Sequence, residues 1–221
     1  MSHTTASALT RASILLKDDG ATRWTSPELL GWLNDARREI ATLRPDLYAI
    51  KAPLDLVAGA AQSIPGDGMR LTDVTRNVGG SACTVTEKEL LDQFKPKWQL
   101  MPGSKVIRHF MMDERYPTTF WVYPPALAGA RLEIVYQATP QDLADNAALS
   151  VTESMYLGAL VDYICYRCYS KDTEFAGSAE RAASHYSRFE NALTDGGRIA
   201  LVTSPNAANQ GGTPSRIATG G

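Results

Sequence analysis

Cys165 and Cys168 stand at C-x-x-C spacing, the first arrangement in this 221-residue chain that could do chemistry. That spacing serves thiol redox exchange, or half of a zinc site. A redox pair needs a helix N-terminus to stabilise its thiolate, and zinc needs a second Cys/His pair. Cys165-Tyr166-Arg167-Cys168 instead lies inside an apolar helical run, and no second pair stands at ligand spacing. The two thiols are expected to pack as small hydrophobes. His3, His109 and His185 are scattered, and no G-x-S-x-G, H-E-x-x-H, Walker loop or EF-hand loop occurs. His109 in Arg108-His-Phe-Met-Met reads as a strand or loop residue, and His185 as part of a helix face. Asp142, Asp145 and Glu153 could act as paired carboxylates, but helix-dipole and capping chemistry is the simpler account. No catalytic residue, metal or cofactor is expected.

Basic groups cluster loosely as Arg37, Arg38, Lys95, Lys97, Lys105 and Arg108. Lys95-Pro96-Lys97-Trp98 puts an aromatic between cations and could touch phosphates, or could be a solvated loop. Arg23 beside Trp24 is placed for a surface cation–π pair. These features keep a second function open, a cellular nucleic-acid-binding or regulatory helical module. The formal net charge of −2 argues against a global basic field that would recruit nucleic acid or an anionic membrane. The three cysteines, an odd number, fit a reducing compartment better than a disulfide framework. No apolar run reaches the roughly 20 residues a membrane helix needs, and the N-terminal apolar segment is too short and interrupted for a secretory signal.

Several segments could position these residues. Leu9, Ala12 and Leu16 predict a first helix over residues 5–17, stopped by Asp18-Asp19-Gly20. Thr25-Ser26-Pro27-Glu28 offers two helix starts: Thr25 as N-cap in a capping box with Glu28, or Ser26 as N-cap with Pro27 following. Leu29, Leu33, Ala36, Ile40 and Leu43 then form one stripe, with Asn34, Asp35, Arg37, Arg38 and Glu39 opposite. Pro45 ends this helix. Between residues 49 and 140, short β-branched and aromatic runs (49–57, 69–78, 119–123, 131–137) alternate with Gly/Pro turns. A short helix is possible at residues 86–94. Ser150-Val151-Thr152-Glu153 is a capping box opening an apolar helix over 155–169. Phe175, Ala179, Ala182, Tyr186, Phe189 and Leu193 repeat the four-three rhythm, and Gly196-Gly197 predicts a left-handed stop. The expected architecture is mostly α: a four-helix-type bundle (1–48 and 141–197) interrupted by an irregular β-rich insertion (49–140), with an extended tail (198–221).

Two pieces of this chain resemble a known family. Arg23-Trp24…Glu28-Leu29-Leu30-x-Trp32-Leu33-Asn34-Asp35-Ala36-x-x-Glu39-Ile40, followed by Arg44-Pro45-Asp46, is similar to the N-terminal helix of tailed-phage head-to-tail adaptor (connector, or head-completion) proteins. Met112-Asp113-x-x-x-Tyr116-Pro117-x-x-Phe120-x-Val122-Tyr123-Pro124-Pro125 is like a segment of their insertion. The resemblance implies a structural protein of the virion, assembled in the host cytoplasm as a ring of twelve beneath the portal protein. Such a ring continues the DNA channel without sequence-specific binding and presents its lower surface to a nozzle or tail-completion protein. The polar face with Arg37, Arg38 and Glu39 would then meet the next subunit, and the tail, with Arg216 and Ile217 as its handles, would dock on the portal.

Overall fold

The structure is a computed structural model that describes residues 3–172, 174 and 176–203. The expectation of a helix-dominated bundle with a small irregular insertion is corrected. The described residues form six α-helices and two sheets, about 44% helix and 25% strand, a mixed α/β fold. The chain divides into two compact units, one running to Arg44 and resuming at Asp142, the other spanning Pro45–Gln141.

The helical unit begins with α1 (Thr5–Leu16), opened by a reciprocal box between Thr4 and Ser7. It closes at Lys17, whose φ of 55° supplies the left-handed cap. Asp18 then organises the connection, its carboxylate accepting the backbone N–H groups of Thr22, Arg23 and Trp24. The Trp24 N–H is the largest of several donors that hold this carboxyl below its usual value. Helix α2 (Ser26–Leu43) starts from Thr25, but the Thr25 side chain makes no cap bond and the box with Glu28 does not form. Glu28 pairs with Lys171 instead. Leu29, Leu33, Ala36 and Ile40 are buried as the stripe predicts. After the capping box of Ser150 and Glu153 comes a single turn, α4 (Val151–Met155). The chain breaks at Tyr156 and continues as α5 (Leu157–Lys171), whose Leu160, Ile164, Cys165 and Cys168 have no exposed surface. Around α5 pack α1, α2 and α6 (Ser178–Thr203). Tyr163 meets Phe189 edge-on at 5.0 Å, and Tyr166 lies 4.9 Å from Tyr186.

The predicted stop at Gly196-Gly197 does not occur, and residues 198–203, expected in the tail, belong to α6. The reason is tertiary. Nη1 of Arg44 donates to the Leu193 carbonyl at 2.8 Å. A Cβ on Gly196 would stand 2.3 Å from the Tyr156 hydroxyl, and one on Gly197 would stand 3.3 Å from Arg44. These glycines admit neighbours to the helix rather than ending it.

The other unit is built from β1 (Ala49–Asp55), β2 (Gly59–Ser63), β3 (Gly68–Asn77), β4 (Thr84–Val85), β5 (His109–Met112), β6 (Thr119–Ala126) and β7 (Arg131–Ala138), with α3 (Lys88–Phe94) after β4. One sheet has the order β1-β7-β3 and the other β2-β6-β5-β4, antiparallel except for the short β4/β5 pair. Alternation supplies the core. Leu132, Ile134 and Tyr136 of β7 and Phe120 and Val122 of β6 share one apolar cluster. Trp121 and Tyr123, on the other face of β6, pack against Trp98, Met111 and Ala60 in a smaller cluster. Gly129, with φ of 79°, makes the tight turn between β6 and β7, closed by the Ala130 N–H on the Leu127 carbonyl at 3.1 Å. Buried Asn77 ties β3 to residue 107: its Oδ1 accepts the Ile107 N–H and its Nδ2 donates to the Ile107 carbonyl, both at 2.8 Å.

Candidate assembly surfaces

The helix α2 carries the polar residues that sequence reasoning assigned to an outer face, and the structure divides them. Asn34 and Arg37 are buried. Asn34 accepts the Leu143 N–H at 2.9 Å and donates to the Leu143 carbonyl at 3.1 Å. Nε of Arg37 donates to Glu153 Oε1 at 2.6 Å, with side chains 7% and 6% exposed. Burial raises the Glu153 carboxyl, but the Arg37 guanidinium and the Ser150 backbone N–H outweigh it and leave the group below its ordinary value. Arg37 therefore braces the unit from inside. Its position gave the signal: four residues after Leu33 and three before Ile40, it lies on the apolar stripe rather than across from it. Arg38 remains outside, paired with Asp35 at 2.8 Å and with Asp142. Glu39 is half-buried and accepts the Tyr186 hydroxyl at 3.3 Å.

The other chemistry-bearing residues also stand in internal contacts. The Cys165 thiol is pushed up to about 12 by burial, and that of Cys168 higher still, so neither holds a thiolate at neutral pH. His109 meets Thr84 Oγ1 at 2.6 Å and stacks on Tyr123, while His185 meets Asp162 at 2.7 Å and stacks on Tyr169. Among the described residues no three His, Cys, Asp or Glu side chains are grouped so that they could hold a metal ion. Glu153 serves both the Ser150 box and Arg37, and Asp145 accepts the Asn146 backbone N–H. Arg23 does lie over Trp24, 4.9 Å from the ring centroid, but Trp24 is buried and the pair is not the surface pair expected.

The segment Lys95–Trp98 is not arranged to hold nucleic acid by stacking. Trp98 is fully buried, with its indole N–H on Asp92 at 2.8 Å. Nζ of Lys95 reaches the Tyr123 hydroxyl at 3.0 Å. Its two lysines are exposed, and beside them stand two exposed apolar side chains, Phe94 at 77% and Leu100 at 83%. Sequence reasoning missed these two, although an aromatic and a leucine flanking Lys-Pro-Lys were visible. The predicted tail residues Arg216 and Ile217 lie outside the described residues.

Ionisable side chains set into braces stand beside apolar side chains left in solvent, and exposed apolar side chains of this kind suit contacts with other proteins. Comparison with known families agrees: the model of the SU10 adaptor protein family matches residues 4–210, and the chain belongs to that family. This is a phage head–tail adaptor family, so the chain is a structural component of the virion at the head–tail region, working through contacts with other virion proteins. No curated protein matches the chain significantly.

Proposed function

We propose that the protein forms a ring, twelve-fold as the family resemblance implies, that seats on the portal, continues its DNA channel and receives the tail below. The observation that carries this reading is the family match, which runs through both compact units. The ring needs heterologous contacts, in which two different faces of one protomer meet. Arg38, exposed on the side of α2 away from its stripe, and the half-buried Glu39 at the stripe's edge are assigned to one such face, whereas Arg37 is committed to Glu153. The residues beyond Thr203, with Arg216 and Ile217, are assigned to portal docking. A net charge of −2 is compatible with a channel through which DNA slides, because many phosphate contacts would retain it. Phage particles made without this protein test the reading. It predicts DNA-packaged heads that lack tails and recover them when the purified protein is added. Tailed, infectious particles made in its absence would overturn it.

A further inference from the structure

Two surfaces of this chain, one in each compact unit, are complementary in both polarity and charge. In the β-rich unit, Leu90, Phe94 and Leu100 are 50%, 77% and 83% exposed within one short segment, far more than side chains of their size need be. The same stretch supplies Lys97, which is exposed and whose side chain makes no hydrogen bond or ion pair among the described residues. No carboxylate occurs from residue 95 to residue 108, while Lys95, Lys97, Lys105 and Arg108 all do. In the helical unit, an open groove runs along α1, where Leu9 and Ile14 supply apolar wall and Asp19 and Asp145 supply charge. Ile14 is 61% exposed. Asp19 is exposed and, like Lys97, has no ionic partner among the described residues.

We infer that the Phe94–Leu100 segment of one copy docks in the α1 groove of a second copy, with Leu100 against Ile14 and Lys97 facing Asp19. The occupant is another copy of this chain because the matching apolar wall and the missing counter-charge are both present on it. Such a contact joins two different faces, so it repeats head to tail, as a ring requires. It rests on the assembly reading above and supplies that reading with a pair of faces. The apolar side chains give the contact its strength, and the charges fix its register and speed its formation.

Charge reversal in the full chain tests it, because every altered residue is exposed and none braces the fold. Lys97→Glu and Asp19→Lys should each weaken self-association by about tenfold at low salt, measured by sedimentation velocity alone and in mixture with the portal. The double reversal should return it to within about threefold of the parent. Leu100→Asp should abolish it, with the melting temperature of every variant unchanged. Self-association indifferent to the single reversals, or a double reversal no better than either, would overturn the contact. So would a chain that stays monomeric under both conditions. A chain that joins the portal yet ignores the reversals sinks only this contact. One that self-associates in the predicted way but never binds portal sinks only the proposed function.

Discussion

Arg37 and Glu153, 116 positions apart in sequence, meet at 2.6 Å inside the helical unit and tie α2 to the start of α4. The same Glu153 closes the capping box on Ser150, so one carboxylate links the two chain segments that the β-rich unit separates. Removing either partner leaves a buried charge without its counterpart, which costs about 3–5 kcal/mol. Arg37→Ala and Glu153→Ala should therefore each lower stability by that amount in urea unfolding, followed by helical circular dichroism. Replacing both together by Met and Leu should recover most of the loss. Single variants as stable as the parent would show that the pair bears no such weight.

The acid limb of stability follows from depressed carboxylates, among them Asp18, Asp92 and Asp113, and is tested at Glu133. Glu133 is held down to about 2 by the Arg76 guanidinium and then by the Lys51 ammonium. Glu153 is shifted in the same direction. A carboxyl whose folded pKa is depressed contributes stability above its unfolded value of about 4.3, and that contribution disappears as pH falls through the folded value. Stability should thus hold from neutrality to about pH 5 and fall steadily between about pH 4.5 and 2. Glu133→Gln should be less stable than the parent at pH 7 and equal to it near pH 2. Parallel pH profiles for the two proteins would contradict the assignment.

The thiols offer a reading of core integrity. Cys165 and Cys168 have no exposed surface and pKa values raised by burial. Both should resist maleimide in the folded protein over hours and react within minutes in denaturant. Rapid labelling of either under native conditions would mean that α5 is not the buried centre of its unit.

Glycine substitutions separate two uses of the same residue. Gly31 lies in α2 with nothing within 4 Å of where a Cβ would stand. Gly31→Ala should stabilise by about 1 kcal/mol, the ordinary difference in helix propensity. Gly196→Ala should give no such gain, because its methyl meets the Tyr156 hydroxyl. In a Tyr156→Ala background, where both the hydroxyl and the ring beside Gly196 are gone, Gly196→Ala should show the gain in thermal unfolding. Equal stabilisation by the two single changes would show that Tyr156 yields freely.

Local pattern explains what the sequence revealed of this fold. Helix α2 was legible because Leu29, Leu33, Ala36 and Ile40 repeat at helical spacing and Pro45 bars continuation. The Ser150 box was legible for the same reason: both of its partners lie within four residues. Strand β2, Gly-Ala-Ala-Gln-Ser, was not, since it carries no alternating apolar pattern and takes its form from pairing with β6. Without it the second sheet could not be drawn, and the β-rich unit looked like an irregular insertion. The continuation of α6 past Gly196-Gly197 was hidden because Arg44 and Tyr156 come from far away in sequence. Of the polar residues read as opposite the stripe, Arg38 is exposed and Arg37 is buried. A charged residue on an apolar stripe marks a buried partner that sequence periodicity does not name.

The tail's role has its own test. Removing the residues after Val202 should leave the thermal unfolding of both units unchanged while abolishing capture by immobilised portal protein. A truncated chain that still binds portal with the parent's affinity would assign docking to another surface.

Electron microscopy of the purified protein mixed with its portal measures the central claim most directly. A closed ring seated on the portal, coaxial with its channel, is the predicted image. A mixture in which the protein remains a separate monomer while the portal stays bare would contradict the account.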